Sequence, residues 1–395
     1  MKPLDSLGTS ASRAGAAAEA DGAPGHRGDG DHDRRDERER REREALAKIE
    51  KVRSMPAKFR DERITMAHGA GGKAMASLIE GLFLPAFASG ELAALDDAAN
   101  LTVDGTELAI TTDSFVVTPI RFPGGSIGEL AVNGTVNDLA VAGARPLVLT
   151  LSFVLEEGLT AEDLAHEVDA IARAAEAAGV RIVAGDTKVV ERGHADAMYI
   201  CTTGLGRRDP RARLSPASLE PGDRILVSGR VGDHGTAIML ARGEFELGAA
   251  IESDTRSLWP AMDALLDAAG ADLRCARDAT RGGVASVLNE LAATSNVAAL
   301  VHEVAIPVHP AVAGACEILG IDPMYVANEG VLVAVVAPDA ADAALEALRA
   351  VPGCEEAAEI GEIKTEPPGM VLVQTAFGGK RVMDLLVGDP LPRIC

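Results

Sequence analysis

From residue 61 onward the chain alternates amphipathic helical patterns with short β-rich runs. This alternation confines it to architectures in which helices cover a sheet. Apolar residues recur at three- and four-residue spacing over 73–88, 125–143, 160–178, 233–242, 258–269, 281–294, 309–319 and 339–350. Strand-like runs cover 107–112, 146–154, 180–184, 197–205, 223–228, 297–304, 331–337 and 370–376. In TAEDLAHE, Thr160 is the expected N-cap, with Glu162 and Asp163 in the first turn. The segment RRDPRARLSPASLEPGD (207–223), dense in Arg, Pro and Ser, reads as a linker between two α/β halves. No short-period repeat is visible, and periodicity alone takes the topology no further than two α/β domains.

The 395 residues suffice for two or three domains with a sizeable core. Charge is divided unevenly. Residues 1–60 hold 14 Lys/Arg and 12 Asp/Glu, whereas residues 61–395 hold 24 and 48, so the acidity belongs wholly to the body. The run Asp31–Arg53 is mixed charge with almost no apolar stripe and reads as a solvated extension outside the fold. A body with net charge -24 and 3% aromatic residues over the whole chain lacks the basic face and stacking platforms of a nucleic-acid binder. It equally disfavours an anionic membrane surface. No apolar run reaches membrane-spanning length, and the polar start has no signal-peptide core. Cys201, Cys275, Cys316, Cys354 and Cys395 are scattered with no Cys-x-x-Cys pair, which argues against disulfides and structural zinc and makes the cytoplasm the expected compartment.

The chemistry is to be sought in loops marked by Gly and Asp. HGAGGK (68–73) stands just before an amphipathic helix, where the backbone N–H groups of Gly69, Gly71 and Gly72 can converge on an anion and Lys73 can add a cation. It is neither a Walker A loop nor a dinucleotide fingerprint, and a flexible entry turn is the other reading. Acids set among small residues follow: Asp97 in LDDAAN, Asp113 in TTDSF, Asp138 in GTVNDLAVAG, Asp186 in AGDTK and Asp278 in RDATRGG. Asp113 and Asp186 follow strand-like runs, where α/β folds place ligand sites. Asn137 and Asp138, one turn after Asn133, interrupt an otherwise apolar helix and need partners there. Carboxylates without His or Cys suit Mg²⁺ bridging to phosphates, although each Asp alone also reads as a cap or turn. Lys188, two residues beyond Asp186, shares its side of an extended segment. Glu329 directly precedes an apolar strand, and GDHG (232–235) reads as a turn and cap with a titratable His234. In the final LPRIC, Pro390 and Pro392 stiffen an arm that carries the Cys395 thiol, read either as a carrier group or as an incidental exposed cysteine.

HGAGGK, TTDSFVV, PGGSIGELAVNGTVNDLAVAGA, EEGL, AGDTKVV, SGRVGDHG, RDATRGGV, ANEG and the final PRIC together strongly resemble the HypE family of hydrogenase maturation factors. That family sits within the aminoimidazole-ribonucleotide synthetase/selenophosphate synthetase (PurM-like) superfamily. The resemblance spans about 64–395; the internal Asp motifs carry the superfamily likeness and PRIC the family one. It implies an α/β (α+β), two-domain PurM-like ATP-binding fold whose N-terminal sheet domain forms a dimer barrel beside a C-terminal α/β domain. The expected divisions are a disordered extension (1–60), an N-terminal ATP-binding and dimerisation domain (61–206), a C-terminal domain (207–388) and a mobile tail (389–395).

The reaction implied is ATP-dependent dehydration of a thiocarbamate on Cys395 to a thiocyanate, which donates cyanide to iron in [NiFe]-hydrogenase assembly. The partners implied are a second copy of the chain, a HypF-like carbamoyltransferase and a HypC–HypD iron scaffold. Carried over by position, Asp97, Asp113, Asp138 and Asp278 are the expected Mg²⁺ ligands, with Asp96 a competitor for Asp97. Gly69, Gly71, Gly72, Lys73, Asp113, Asn137 and Asp186 are expected at the ATP. Cys395, Lys188, Glu329 and Asp138 are expected at the chemistry, Glu329 as proton acceptor and Lys188 as stabiliser of the activated oxygen. A superfamily synthetase acting on selenide or a ribotide, or a non-catalytic thiol carrier, are the alternatives. Neither synthetase needs the PRIC motif, and an idle carrier needs no acidic loops.

Overall fold

A computed structural model describes Arg40 and residues 59–87, 89–243 and 250–386. The tail with Cys395, and the extension over 1–60 apart from Arg40, Phe59 and Arg60, lie outside the described residues. Within the compact unit Pro56–Cys395 the chain builds two sheets.

The first sheet comprises β1 (Ala99–Val103), β2 (Thr106–Phe115), β5 (Ala144–Glu156), β6 (Arg181–Val190) and β7 (Met198–Arg208), in the order β1-β2-β7-β5-β6. A two-stranded hairpin of β3 (Arg121–Phe122) and β4 (Gly125–Ser126) stands apart from it. Among the described residues of this sheet only β5 and β6 pair in parallel, and that pair needs the crossover helix between them. A short helix α1 (Lys73–Leu78) precedes the sheet, and α2 (Ile127–Val141) and α3 (Ala161–Ala178) cover one face. Thr160 caps α3 as its sequence predicts, its Oγ1 accepting from Asp163 N at 3.0 Å, and Gly179 closes the helix at φ 68°. Helix α2 is buried almost throughout, and its two asparagines, Asn133 and Asn137, find partners in the second half of the chain. The β6 edge is exposed along nearly its whole length, Val183 at 53% and Val189 at 68%.

The second sheet holds β8 (Arg224–Val227), β9 (Leu273–Asp278), β10 (Ala298–His302), β11 (Leu332–Val336), β12 (Ala358–Lys364), β13 (Met370–Gln374) and β14 (Lys380–Met383), in the order β14-β13-β10-β12-β8-β11-β9. Both faces are covered. Val333 and Val335 of β11 point into a core shared with α6 (Gly283–Ser295), while Leu332, Ala334 and Val336 point into one shared with α5 (Trp259–Ala269) and α8 (Ala341–Arg349). Such a strand therefore reads as an unbroken apolar run. Helices α4 (Asp233–Ala241) and α7 (Pro310–Leu319) complete this half. Ala140 and Val141, at the end of α2, join the second core and tie the two halves together. No helix among the described residues is long and apolar enough to cross a membrane.

Candidate functional site

A cavity of about 320 Å³ opens where α2 and β2 of the first half meet β9 and the loop before β11 of the second. Asp97 reaches it from the loop before β1, Asp113 from β2, Asp138 from α2, Asp278 from the end of β9 and Glu329 from the strap before β11. Asp96 lines it beside Asp97, so six acids separated by up to 233 positions in the chain line one space. Sequence alone could not establish this convergence.

The cavity concentrates negative charge away from water. Burial raises the carboxyls of Asp138, Asp278 and Glu329 well above their ordinary range. Neighbouring carboxylates add to the shift: Asp278, Asp97 and Asp113 on Asp138, Asp97 and Asp113 on Asp278, and Asp278, Asp254 and Asp113 on Glu329. Asp97 and Asp113 are raised by burial against the opposing pull of Arg277 and Arg281 respectively. Thr111 Oγ1 lies 2.7 Å from Asp138 Oδ2 and 2.9 Å from the Asp97 backbone carbonyl, so its single proton can be donated to one of them at a time. Arg277 holds Asp96 at 2.6 Å and Asp97 at 3.2 Å. Asp278 Oδ2 is buried with no hydrogen-bond partner.

An all-oxygen donor set with an orphaned carboxylate oxygen suits a hard divalent cation. Among the described residues, however, no three His, Cys, Asp or Glu side chains close on a common point that could hold a metal. Like charges repel across the cavity, and Arg277 draws Asp97 aside. The arrangement therefore suits Mg²⁺ held by one or two carboxylates, with phosphate and water oxygens filling the remaining positions.

The glycine loop lies at the rim. Gly71 has φ 74°, and a Cβ there would stand 2.7 Å from the Arg281 carbonyl oxygen; Arg281 itself lines the cavity. A Cβ on Gly72 would stand 2.7 Å from the Leu386 carbonyl oxygen, which accepts the Lys73 N–H at 3.2 Å. Lys73 Nζ pairs with Asp384 at 2.8 Å. The loop thus packs against the last described segment of the chain, while a Cβ on Gly69 would meet nothing within 4 Å.

Asn137 lies outside the cavity lining. Its amide is 1% exposed, donating to the carbonyls of Arg256 (3.0 Å) and Glu329 (3.1 Å) and accepting from Leu258 N (2.7 Å). Asn133 reaches Thr255 Oγ1 at 3.2 Å. Asp186 and Lys188 share one side of β6, as their spacing predicts, and pair with each other in the open, apart from the cavity. His234 Nδ1 lies 2.8 Å from Ser253 Oγ in the interior. Burial pushes the thiols of Cys275 and Cys316 up to about 12 and about 11, which leaves them unreactive, whereas Cys201 is exposed. Sequence reasoning missed Arg281, visible in RDATRGG but passed over beside its Asp, and Asp254, which no motif marks.

Residues 95–208 match the family model described as "AIR synthase related protein, N-terminal domain", and residues 220–373 match the corresponding C-terminal domain. The chain is 51% identical over 341 residues to carbamoyl dehydratase HypE of Rhodobacter capsulatus, covering 85% of this chain and 99% of that protein. A solved structure of the hydrogenase maturation protein HypE in complex with ATP is 44% identical with a TM-score of 0.71, covering 84% of this chain and all of that one. A HypE–HypF complex contains a chain 44% identical with a TM-score of 0.75, covering 78% of this chain and 99% of that one.

Proposed function

The chain belongs to the HypE family of carbamoyl dehydratases, and we propose that it uses ATP to dehydrate a carbamoyl group carried on the Cys395 thiol. The cyano group so formed is passed to the iron of a [NiFe]-hydrogenase under assembly. The observation that carries this reading is the cavity lined by six carboxyl groups beneath the glycine loop. The γ-phosphoryl group moves from ATP to the thiocarbamate oxygen. The two N–H protons leave, the C–O bond breaks with its electron pair departing on phosphate, and R–S–C≡N, ADP and phosphate remain.

Asp97, Asp113, Asp138 and Asp278 are the groups from which a Mg²⁺ ion would take its one or two carboxylates. When bound with the nucleotide, the ion neutralises charge on the phosphates during transfer. Gly69, Gly71, Gly72 and Lys73 would cover the nucleotide from the rim. Glu329, 3% exposed, has a raised proton affinity and is suited to take an N–H proton where water is scarce. Asn137 would support the site from behind through the Glu329 carbonyl.

Asp186 and Lys188 would reach a nucleotide only in an assembly, and the uncovered β6 edge supports a homodimer formed through the first sheet. Domain limits of 61–206 and 207–388, a cytoplasmic setting, a HypF-like carbamoyltransferase and a HypC–HypD acceptor complete the proposal. The solved HypE–HypF complex supports the carbamoyltransferase as a partner. Mass spectrometry of Cys395 after carbamoyl loading tests the reading. A carbamoyl adduct of about +43 Da should convert to a cyano adduct of about +25 Da with ATP and stay unchanged without it. Lys188→Ala and Glu329→Gln should both fail to convert it; near-native conversion in both would remove these residues from the mechanism.

A further inference from the structure

The strap that carries Glu329 is neither helix nor strand, so its position depends on what grips its backbone. The Glu329 N–H donates to Asp254 Oδ1 at 2.9 Å, and the Glu329 carbonyl accepts from Asn137 at 3.1 Å. The neighbouring Asn328 is fixed as well, its amide donating to Ala279 O at 2.8 Å and its Oδ1 accepting from Gly232 N at 2.7 Å. At Gly330 a Cβ would lie 1.9 Å from the Asp254 carbonyl oxygen, so the two backbones are already in contact and leave no room for a side chain. The strap therefore moves only if the Asp254 segment moves. On its other side the Glu329 carboxyl reaches over α2, with Oε2 3.8 Å from where a Cβ on Gly134 would stand.

We propose that Asp254 is a positioning residue for Glu329. By accepting the Glu329 N–H it sets where the Glu329 carboxyl stands in the cavity, without touching nucleotide or carbamoyl group. The proposal rests on Glu329 being the proton acceptor. Asp254 lies outside the reaction cavity and instead lines a second space of about 420 Å³ behind the strap, together with Arg256 and Val331. Its Oδ2 is buried with no hydrogen-bond partner, so the contact to Glu329 is made by Oδ1 alone. An asparagine can present the same oxygen to the same N–H, whereas alanine leaves that N–H unpaired in the interior.

The experiment loads Cys395 of the full chain with a carbamoyl group, using the carbamoyltransferase and a carbamoyl donor, and removes the loading reagents. It then follows cyano-adduct formation after addition of Mg²⁺ and ATP, with ATP affinity measured by calorimetry. Asp254→Ala should slow cyanation on the order of 10²-fold, the scale set by misplacing a reacting group by about 1 Å. Its ATP affinity and carbamoyl loading should stay within about threefold of native. Asp254→Asn should restore cyanation to within about threefold of native. Should the alanine variant fail to fold, the similarly sized Asp254→Leu carries the same expectation. Native-rate cyanation by the alanine variant would overturn the proposal. An asparagine variant as slow as alanine would also overturn it, by assigning the effect to charge. Equal loss of ATP binding and rate would overturn it too, by assigning Asp254 to the fold. A native chain that loads carbamoyl yet never forms the cyano adduct would overturn the functional reading itself, and this proposal with it.

Discussion

Replacing Asn137 with alanine separates a residue that binds nucleotide from one that joins the two halves of the protein. The amide makes three hydrogen bonds to backbone groups of the second half, from a side chain 1% exposed on the most buried helix of the first. Removing it leaves two carbonyls and one N–H unpaired in the interior. At about 1–3 kcal/mol for each unsatisfied group, Asn137→Ala should destabilise the chain by about 3–9 kcal/mol. That is a large part of the 5–15 kcal/mol, in order of magnitude, by which folded proteins are stable. Asn137→Asp should be worse despite its matched shape, because it turns a donor facing two carbonyls into a buried negative oxygen. Urea denaturation followed by circular dichroism gives both stabilities, and calorimetry at low temperature gives ATP affinity on the fraction that remains folded. If Asn137→Ala kept native stability and lost ATP binding, the clamp would be refuted and the residue returned to the nucleotide.

Asp278→Asn should stabilise the ion-free chain by removing a carboxyl that burial and neighbouring acids disfavour in its charged form, while weakening Mg²⁺-dependent ATP binding more than tenfold; melting curves with and without Mg²⁺-ATP read both effects. Gly71→Ala should be among the most damaging changes in the glycine loop, since it needs φ 74° and places its Cβ 2.7 Å from the Arg281 carbonyl oxygen; ATP affinity should fall at least about tenfold, where Gly69→Ala should be near neutral. Asp254 imposes a pH dependence on stability. Burial raises its carboxyl from 3.8 to about 6, so between these values the folded chain keeps a proton that the unfolded chain has released. Its contribution to stability therefore falls as pH rises from 3.8 to about 6, by about 3 kcal/mol at most, and is lost above that range. Asp254→Asn should flatten this part of the urea-stability profile between pH 4 and pH 7.

Helices such as α3 and α8 were legible in the sequence because each buries one stripe, and the period of that stripe is written locally. Every expected helix is present to within a few residues except 73–88, where α1 ends at Leu78 and the chain continues through a π-helical turn at Ile79–Phe83 into Leu84–Phe87; Thr160 caps α3 as expected. Strands with uniformly apolar faces, such as β11, were equally plain. Six others were not, the two-residue β3 and β4 among them. β1, β9, β12 and β14 carry charged or polar residues through much of their length, as in LRCARD and AEIGEIK, and owe their existence to the neighbours they pair with. Their strand character is a property of the sheet more than of the segment.

The same division runs through the site. Sequence determined which residue types were available: glycines free to turn, acids among small neighbours, a thiol at Cys395, and a resemblance strong enough to name the chemistry. Tertiary structure decided which of them meet. It gathered Asp97, Asp113, Asp138, Asp278 and Glu329 around one cavity, left Asp186 and Lys188 paired on an open edge, and spent Asn137 on three backbone groups. It also brought Asp254 to Glu329 across 75 positions of chain. A local pattern records only what one element buries. Contacts between elements far apart in the chain depend on how two sheets and α2 pack together, and no single segment encodes that packing.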